Sequence, residues 1–406
     1  MSDVALYLFD DLEARSWAPF ALTRPAGELL FGTLLQRERA ERFWGAECRG
    51  HVVGAELVGF EEAGAPPVTG LSDVRGDGPT VFFSSRAVPL YQEAPDLDEA
   101  ATLVMDGAVV GWFLPDGAES ITEEQLRNPD EAEIGGRIGL DGSVLAHSWD
   151  LVVQNNQQLL RDIRARFPTA DPPAGREGLH IIGDGVVSLG ESVVIEPQVV
   201  FDTTEGGIRL DDGVTVKAFT RLAGPAYAGS GTMLLGGSVS DVSIGPGCNV
   251  GGEVAHTIVL GNANKAHDGF LGHAYVGRWV NLGAGTTNSN LRNDYGTVRV
   301  QTAAGGVDTE LFKLGCLIGD HVKTGIGTML NTGTVVGAGS NLFGGMMPPS
   351  LVPPFSWGAG TDLVEYRLDK FLEVAERVMS RRGVELTDGM RALLGGAWER
   401  SRPDRS

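Results

Sequence analysis

The stretch IGDHVKTGIGTMLNTGTVVGAGSNL, residues 318–342, has a period of six. Its aliphatic or small positions are Ile318, Thr324, Leu330, Val336 and Leu342, and glycine often comes next. A six-residue repeat is typical of a parallel β-helix in which three short strands make one triangular coil of about 18 residues. The aliphatic side chain points into the prism, while the glycine helps the chain turn the corner. This stretch therefore predicts a β-helix rather than a β-sandwich, whose strands would have a period of two.

The same period extends back to residue 189. Its earlier positions are Leu189, Ile195, Phe201, Leu210, Val216, Leu222, Ala228, Leu234, Ile244, Val250, Phe270, Val276 and Leu282. The phase breaks between Val250 and Phe270 and again between Leu291 and Leu314. We interpret both breaks as loops that leave the coil, and inserted loops of this kind commonly carry function.

Composition and charge exclude several classes of protein. The 406 residues carry a formal net charge of −21, which opposes binding to nucleic acid or to an anionic membrane surface. The three cysteines are far apart, so neither a disulfide framework nor a zinc cluster is predicted. The N-terminus is acidic and the chain has no apolar run of about 18 residues. These features predict a cytoplasmic protein without a signal peptide.

Three regions are predicted along the chain. They are a mixed α/β domain at 1–175, the β-helix at 181–347 and a helical tail at 348–406. In the first region we expect strands at 4–9, 80–83 and 101–105, and helices at 27–44 and 149–167. Pro168, Pro172 and Pro173 indicate a linker, which suggests that few contacts join the two domains. After the coil we expect one helix at 362–382 and a frayed end at 399–406.

The run HDGFLGHAYVGRWVNLGAG, residues 267–285, resembles the acetyltransferase half of a bifunctional enzyme family. This is the N-acetylglucosamine-1-phosphate uridyltransferase and glucosamine-1-phosphate acetyltransferase family. The segments LTRP at 22–25, SWDLV at 148–152 and GGEV at 251–254 resemble its divergent bacterial branch. The resemblance implies a nucleotidyltransferase-like domain before a left-handed β-helix acyltransferase domain. It also implies acetyl-coenzyme A as donor, an amino-sugar phosphate as acceptor and a homotrimer with shared sites.

The resemblance gives His267 the role of general base. Acetyl transfer from a thioester to an amine needs a base that titrates near working pH, and histidine suits this requirement. Asp268 would orient the imidazole, and Phe270 stands where the family has a tyrosine. Asn281 and Asn290 match positions associated with the acceptor sugar and the acetyl group, although asparagine also suits tight β-helix corners.

Backbone and lysine contacts complete the predicted transfer site. Ala284 matches a position whose backbone amide approaches the thioester carbonyl, where it can act as an oxyanion donor. Lys265 is a candidate for the sugar phosphate, and Lys313 and Lys323 are candidates for the phosphates of the coenzyme. The alternative for each lysine is an exposed, solvated side chain.

The N-terminal region lacks the glycine-rich phosphate loop and every lysine, so nucleotidyl transfer would depend on other residues. The resemblance implies that Arg24 serves the phosphates of a nucleoside triphosphate. It also implies that Asp10, Asp11 and Asn155 bind Mg²⁺. Arg86, after a predicted strand, is a further sugar or phosphate contact. The alternative for Asp10 and Asp11 is an acidic strand end.

Three other functions stay open on the sequence. One is a single-activity sugar-1-phosphate nucleotidyltransferase, such as one joining glucose-1-phosphate to thymidine triphosphate, with a purely structural β-helix. A second is a metal-dependent lyase that uses His256, His267 and His273 as zinc ligands. The third is a scaffold without catalytic activity.

Overall fold

The computed structural model describes residues 4–74, 78–115, 117, 121–168, 178–302 and 305–405. Its N-terminal region is built on a six-stranded mixed sheet. In spatial order the strands are Cys48–Val52, Ala5–Phe9, Thr80–Ser84, Ala108–Leu114, Ala101–Met105 and Gly136–Leu140. The first three run parallel to one another, so the carboxyl ends of Ala5–Phe9 and Thr80–Ser84 meet at one edge of the sheet. Such an edge is the usual place for a ligand in an open α/β sheet.

Helices and two small antiparallel sheets surround this sheet; one of these pairs Ala87–Pro89 with Gly142–Val144. The helices are Leu12–Arg15, Gln36–Trp44, Glu123–Arg127 and Asp150–Arg166. The helix expected at 149–167 is confirmed as Asp150–Arg166. The helix expected at 27–44 begins only at Gln36. Before it, the strands Leu30–Phe31 and Leu34–Leu35 form a tight antiparallel hairpin around Gly32, which has a φ of +66°. The left-handed conformation of Gly32 reverses the chain and prevents an earlier helix start.

From Leu179 onward the chain forms the predicted parallel β-helix. Its strands are Leu179–Ile182, Val187–Leu189, Val194–Ile195, Val199–Asp202, Ile208–Leu210, Thr215–Val216, Thr220–Ala228, Met233–Ile244, Asn249–Val259, Asn264–Lys265, Phe270–Gly272, Tyr275–Val276, Asn281–Leu282, Thr287–Asn288, Leu317–Ile318, Lys323–Thr324, Met329–Leu330, Val335–Val336, Asn341–Leu342, Leu351–Val352, Ser356–Ala359 and Asp362–Glu365. Lys323 pairs in parallel with Asn341, eighteen positions later. The predicted fold class, an α/β domain followed by a β-helix and C-terminal helices, is therefore confirmed.

The six-residue pattern predicts the interior of the coil with one error of phase. Almost all the predicted aliphatic positions from Phe201 to Leu342 lie in one buried core. Phe270 is the exception, because its neighbour Leu271 points inward instead. The corner before it contains Gly269 at φ +124°, where a Cβ atom would lie 2.2 Å from the carbonyl oxygen of Thr286. The spacing from the inward Leu271 to the inward Val276 is five residues, one fewer than the period predicts.

One of the two predicted loops is a true insertion. Residues 291–313 leave the coil between two consecutive turns and carry the antiparallel hairpin of Arg299–Thr302 and Gly305–Asp308. The loop predicted between Val250 and Phe270 is wrong, because strands Asn249–Val259 and Asn264–Lys265 continue the coil. There the change of phase comes from a shorter turn and the corner at 266–269.

The N-terminal region and the coil share a hydrophobic core. Trp17, Phe20 and Leu29 pack with Tyr275 and Leu317 of the coil in one buried cluster. The hydroxyl of Tyr275 also bonds both backbone groups of Leu30. The expectation that few contacts join the two domains is thus wrong, although the linker itself, including Pro172 and Pro173, lies outside the described residues.

The C-terminal region differs from its prediction in three respects. The expected helix at 362–382 is a strand, Asp362–Glu365, followed by the shorter helix Leu368–Ser380. A second helix, Asp388–Arg400, packs against residues 55–60 of the N-terminal region. The end is not frayed: Arg402–Arg405 is a helical turn, and the Arg405 guanidinium bonds to Glu365 and to the carbonyl of Trp398. No helix in these described regions has the length and apolarity to cross a membrane.

Candidate active site on the coil

His267 lies in an open groove on one edge of the coil. We call this the His267 edge; it consists of the stacked corners at residues 235–237, 251–252, 266–269, 283–286 and 325–328. The groove has a volume of about 730 Å³, and Phe219 and Ile326 form part of its wall. The side chains of His267 and Asp268 are exposed to solvent. His267 is therefore accessible to a ligand in the groove, as the sequence predicts.

The buried side chain of Lys265 supports the backbone around His267. The Lys265 ammonium is buried and donates to the carbonyls of Gly251 and His267. Burial lowers the pKa of Lys265, and the nearby Asp268 acts to raise it. Gly252 passes so close that a Cβ atom there would lie 2.9 Å from the His267 carbonyl oxygen. Lys265 thus supports the corner that carries His267, and the expectation that it binds a sugar phosphate is not supported by its position.

Ala284 presents an unpaired backbone amide to the same groove. Its carbonyl accepts from the amide of Gly327 at 2.8 Å, and the amide of Gly285 donates to the carbonyl of Asp268 at 3.0 Å. For the Ala284 N–H itself, no acceptor is found in the described part of the chain. A free backbone N–H beside an accessible imidazole is the combination that stabilises an oxyanion during acyl transfer. The structure therefore brings two of the predicted residues, His267 and Ala284, into one groove.

Asn281 lies on the flat face that leads into this edge. Its side chain is exposed, and its Oδ1 accepts from Asn264 Nδ2 of the preceding coil at 2.8 Å. In the next coil Lys323 occupies the equivalent position. Its ammonium turns away from the groove and donates to the carbonyls of Trp279 and His321, and burial lowers its pKa to about 7. Lys323 therefore does not line the groove as a phosphate ligand would.

Asn290 lies on a different edge. We call this the His273 edge; it is formed by the stacked corner residues Asp241, His256 and His273. The amide of Asn290 donates from Nδ2 to Nδ1 of His273 at 2.9 Å. Lys313 closes the base of the inserted loop nearby and is exposed.

Strand Phe270–Gly272 separates the two edges within one chain. His267 precedes this strand and His273 follows it, so Asn290, which bonds to His273, lies at the far end from the groove. Lys313 is likewise at the far end. Within one chain this strand therefore keeps Asn290 apart from His267.

Asp10 and Asp11, at the carboxyl edge of the N-terminal sheet, are already bonded to protein groups. The buried Asp10 carboxylate accepts from Ser85 Oγ at 2.5 Å and from the amide of Ala26, and burial raises its pKa. Asp11 accepts from the guanidinium of Arg86, whose Nη1 also donates to a carbonyl. Neither carboxylate is free for a cation and Arg86 is not free for a phosphate, so this arrangement does not fit Mg²⁺.

Arg24 is a buried connection between domains. Its guanidinium donates to Asp320 of the coil and to Glu62, and Arg278 of the coil also contacts Glu62. Thr23 Oγ1 adds a bond to Asp320 at 2.8 Å. The predicted phosphate role of Arg24 is therefore corrected, because these carboxylates already occupy its donors. The LTRP segment docks the N-terminal region on the coil.

Asn155 also connects the two regions. Its Oδ1 accepts from the amide of Gly32 and from Ser243 Oγ of the coil. This placement puts it apart from Asp10 and Asp11, so the predicted metal ligands do not converge. Of the three histidines proposed for a lyase, His256 and His273 lie together, but His267 lies on the other edge of the coil. In the described residues no group of three or more His, Cys, Asp or Glu side chains is arranged to hold a metal ion.

The sequence interpretation missed the pairing of His256 with His273 and the role of Asp320. The imidazole rings of the two histidines lie 4.5 Å apart. Their separation of seventeen residues is about one coil, so the six-residue period contained a signal for this contact. Asp320 gave no comparable signal, since its partner Arg24 is 296 positions away.

The chain is similar in sequence to enzymes that act on sugar phosphates. Residues 6–167 match the family model described as sugar nucleotidyl transferase. The bifunctional sugar-1-phosphate nucleotidylyltransferase/acetyltransferase of Sulfurisphaera tokodaii is 32% identical over 93 residues, 23% of each chain. The bifunctional protein GlmU of Nitrosospira multiformis is 27% identical over 195 residues, 41% of this chain and 42% of that protein. GlmU of Bartonella quintana is 28% identical over 324 residues, 71% of this chain and 64% of that one. The chain thus spans between 23% and 64% of the length of these relatives.

Proposed function

We propose that the chain is a transferase of nucleotide-sugar synthesis, because residues 6–167 match the family model of sugar nucleotidyl transferases and the chain is similar to bifunctional GlmU proteins. Its coil transfers an acetyl group from acetyl-coenzyme A to the amine of an amino-sugar-1-phosphate. The observation that carries this proposal is the exposed His267 imidazole in a groove that also contains the unpaired Ala284 amide.

The transfer uses each of these groups in a defined step. His267 accepts a proton from the acceptor's ammonium group, because only the neutral amine is nucleophilic. The amine nitrogen then attacks the thioester carbonyl carbon, and the Ala284 N–H donates to the oxyanion that forms. The C–S bond breaks as the tetrahedral intermediate collapses, and the coenzyme leaves as a thiolate that takes the proton from His267. The extra proton on the new amide nitrogen passes to water, so the products are the N-acetyl sugar phosphate, the free thiol and one proton.

A thiol-release assay tests this function. Purified protein is mixed with acetyl-coenzyme A and glucosamine-1-phosphate, and free coenzyme is measured with a thiol reagent. We expect release that requires the amino sugar, with glucose-1-phosphate as the matched control because it lacks the amine. Release that is equal with both sugars, or absent with both, would contradict the proposal.

For the N-terminal domain we propose nucleotidyl transfer to a sugar-1-phosphate, with weak turnover. The family match supports the activity. The occupied carboxylates of Asp10 and Asp11 and the buried Arg24 support the low rate, because phosphoryl transfer depends on charges that are free to meet the phosphates. Pyrophosphate release with Mg²⁺, a sugar-1-phosphate and each nucleoside triphosphate in turn measures it. Turnover comparable with that of the acetyl-transfer reaction would contradict the expected low rate.

We further propose a homotrimer in which each acetyl-transfer site combines the His267 edge of one chain with the His273 edge of its neighbour. The separation of the two edges supports this arrangement, and so does the exposed apolar wall of Phe219 and Ile326 beside the groove. A contact between different edges is heterologous, and three such contacts close a ring. The cytoplasmic location stays a prediction from the sequence.

A further inference from the structure

Three consecutive coils place a non-glycine residue in the left-handed region at the His273 edge. Asp241, His256 and His273 have φ angles of 53°, 48° and 50°. They lie one above another, because their flanking residues pair in parallel from coil to coil. A left-handed backbone costs an ordinary residue about 1–2 kcal/mol, which glycine would avoid. The same conformation occurs at other corners of the coil, such as Gln198, Phe219 and His321, so it marks these three positions as stacked corners and the contacts of their side chains carry the argument.

These side chains form a continuous polar row. At its lower end Asn156 Nδ2 donates to Asp241 Oδ1, and Asp241 Oδ2 lies 3.7 Å from Nε2 of His256. The His256 ring lies against the His273 ring with centroids 4.5 Å apart. At the upper end His273 Nδ1 accepts from Asn290 Nδ2 at 2.9 Å. The row therefore ends at a residue of the proposed acceptor site.

The protonation state of His273 decides which way the Asn290 amide faces. Burial lowers the pKa of His273 to about 4, with the neighbouring His256 and Lys313 acting in the same direction. A neutral imidazole has one donor and one acceptor nitrogen, and because Asn290 Nδ2 can only donate, its contact with Nδ1 corresponds to the tautomer that is protonated at Nε2. In this tautomer Asn290 turns its NH₂ group toward His273. Its Oδ1 then faces outward, and it has no partner in the described part of the chain. The hydrogen-bond network thus fixes an orientation that an isolated asparagine would not have.

We propose that His273 is a positioning residue that presents the Asn290 side chain to the acceptor as a hydrogen-bond acceptor. An outward carbonyl oxygen selects a donor group, so the ligand atom at this position is an amine or hydroxyl of the amino sugar rather than a phosphate oxygen. This inference rests on the proposed acetyl transfer. It adds a determinant of acceptor binding on the edge opposite the catalytic base.

Two substitutions at His273 distinguish the effect of its side chain from that of its left-handed backbone. His273→Gly removes the acceptor while tolerating the φ of 50°. His273→Asn keeps an acceptor, since its Oδ1 is bonded to Cγ as the imidazole Nδ1 is, and asparagine tolerates the left-handed region. We expect His273→Gly to raise KM for glucosamine-1-phosphate about tenfold, the effect of one lost hydrogen bond, with little change in kcat or in KM for acetyl-coenzyme A. His273→Asn should restore most of the loss.

A double-mutant cycle with Asn290→Ala tests whether His273 acts through Asn290. We expect the Asn290→Ala and His273→Gly double variant to bind the acceptor no worse than Asn290→Ala alone. Additive losses, or a His273→Gly variant with an unchanged KM, would overturn the positioning role. So would a fall in kcat for His273→Gly that parallels a loss of thermal stability.

A measurement without turnover distinguishes this inference from the proposed function. Nitrogen NMR of ¹⁵N-histidine-labelled protein reports which imidazole nitrogen carries the proton. We expect His273 to be protonated at Nε2 alone at neutral pH, with an Nδ1 signal that shifts in Asn290→Ala. A proton on Nδ1 would overturn the inference even if acetyl transfer is observed. Wild-type protein without acetyl transfer would instead contradict the proposed function, and the acceptor-binding role with it.

Discussion

The guanidinium of Arg24 donates to the carboxylate of Asp320 at 2.9 Å, and this contact links the N-terminal region to a corner of the coil 296 positions later. Burial opposes the charge of Arg24, but Asp320 and Glu62 outweigh it and raise the arginine pKa. Asp320 stays ionised for the reciprocal reason, because Arg24 lowers its pKa against the effect of burial. The two regions therefore share a buried charge network.

Removing one partner of this network should destabilise both regions together. Asp320→Ala leaves the buried Arg24 guanidinium with less compensation, and such a change typically costs about 3–5 kcal/mol. We expect the denaturant midpoint to fall. Tryptophan fluorescence and far-UV circular dichroism should still report one common transition. Asp294→Ala, which breaks the exposed pair with Arg292, is the control and should leave the midpoint unchanged. Separate transitions for the two probes would contradict the shared network.

The N-terminal region alone should not fold stably. A chain cut near residue 172 would expose Trp17 and Phe20, which are buried against Tyr275 and Leu317 of the coil. It would also leave the buried Arg24 without Asp320. We expect binding of a hydrophobic dye and no cooperative thermal transition in the fragment. A sharp transition, with the near-UV dichroism of packed aromatic rings, would show that the shared core is dispensable.

The sequence predicts contacts within the coil better than contacts between regions. The six-residue period identifies the interior because each aliphatic side chain faces its own coil, so the signal is local. The docking role of Arg24 depends on Asp320, whose position relative to the first strand no local pattern encodes. Phe270 was assigned inward because it lies six positions before Val276, whereas the inward residue is Leu271, five positions before Val276. Corners are where backbone geometry, rather than hydrophobicity, sets the phase.

Replacing His267 by alanine should abolish acetyl transfer without unfolding the coil. A positioned general base contributes about 10² to 10⁴ in rate. The exposed side chain contributes little packing, so the thermal midpoint should not change. His273 is unsuitable as a control because it bonds to Asn290. His180, exposed on the first strand of the coil, is the better control. Near-normal thiol release in His267→Ala would exclude it as the base.

Acid should destabilise the protein through the buried His321. This imidazole lies between Trp279 and Phe371, and burial lowers its pKa to about 3, with Lys323 adding to the effect. The unfolded chain takes up the proton near pH 6.5 while the folded chain does not, so stability is lost as pH falls from 6.5 toward 3. At pH 5 the loss amounts to about 2 kcal/mol relative to pH 7.

His321→Asn isolates this contribution. Asparagine does not titrate and tolerates the φ of 60° at this corner. We expect the fall in denaturant midpoint between pH 7 and pH 5 to be smaller in the variant than in the wild type. His180→Asn, at an exposed position, should keep the full fall. An identical pH dependence in His321→Asn and the wild type would mean that this histidine is not held neutral.

Mixing two impaired variants should raise acetyl transfer above the sum of their separate activities if the site is shared between chains. His267→Ala and Asn290→Ala each damage every site of a homotrimer, and they do so on different edges of the coil. In a mixed trimer, an Asn290→Ala chain supplies an intact His267 to a neighbour that supplies an intact Asn290. Purification through both tags leaves only mixed trimers, and in each of these one site of the three, about a third of all sites, regains both residues. The measurement is thiol release after the two variants are co-expressed and purified through different tags. Co-expression is needed because preformed trimers exchange chains slowly if the interface is extensive.

The sum of the two separate activities, without any gain, would mean that each chain builds its own site, and Asn290 would then lose its place beside the acceptor.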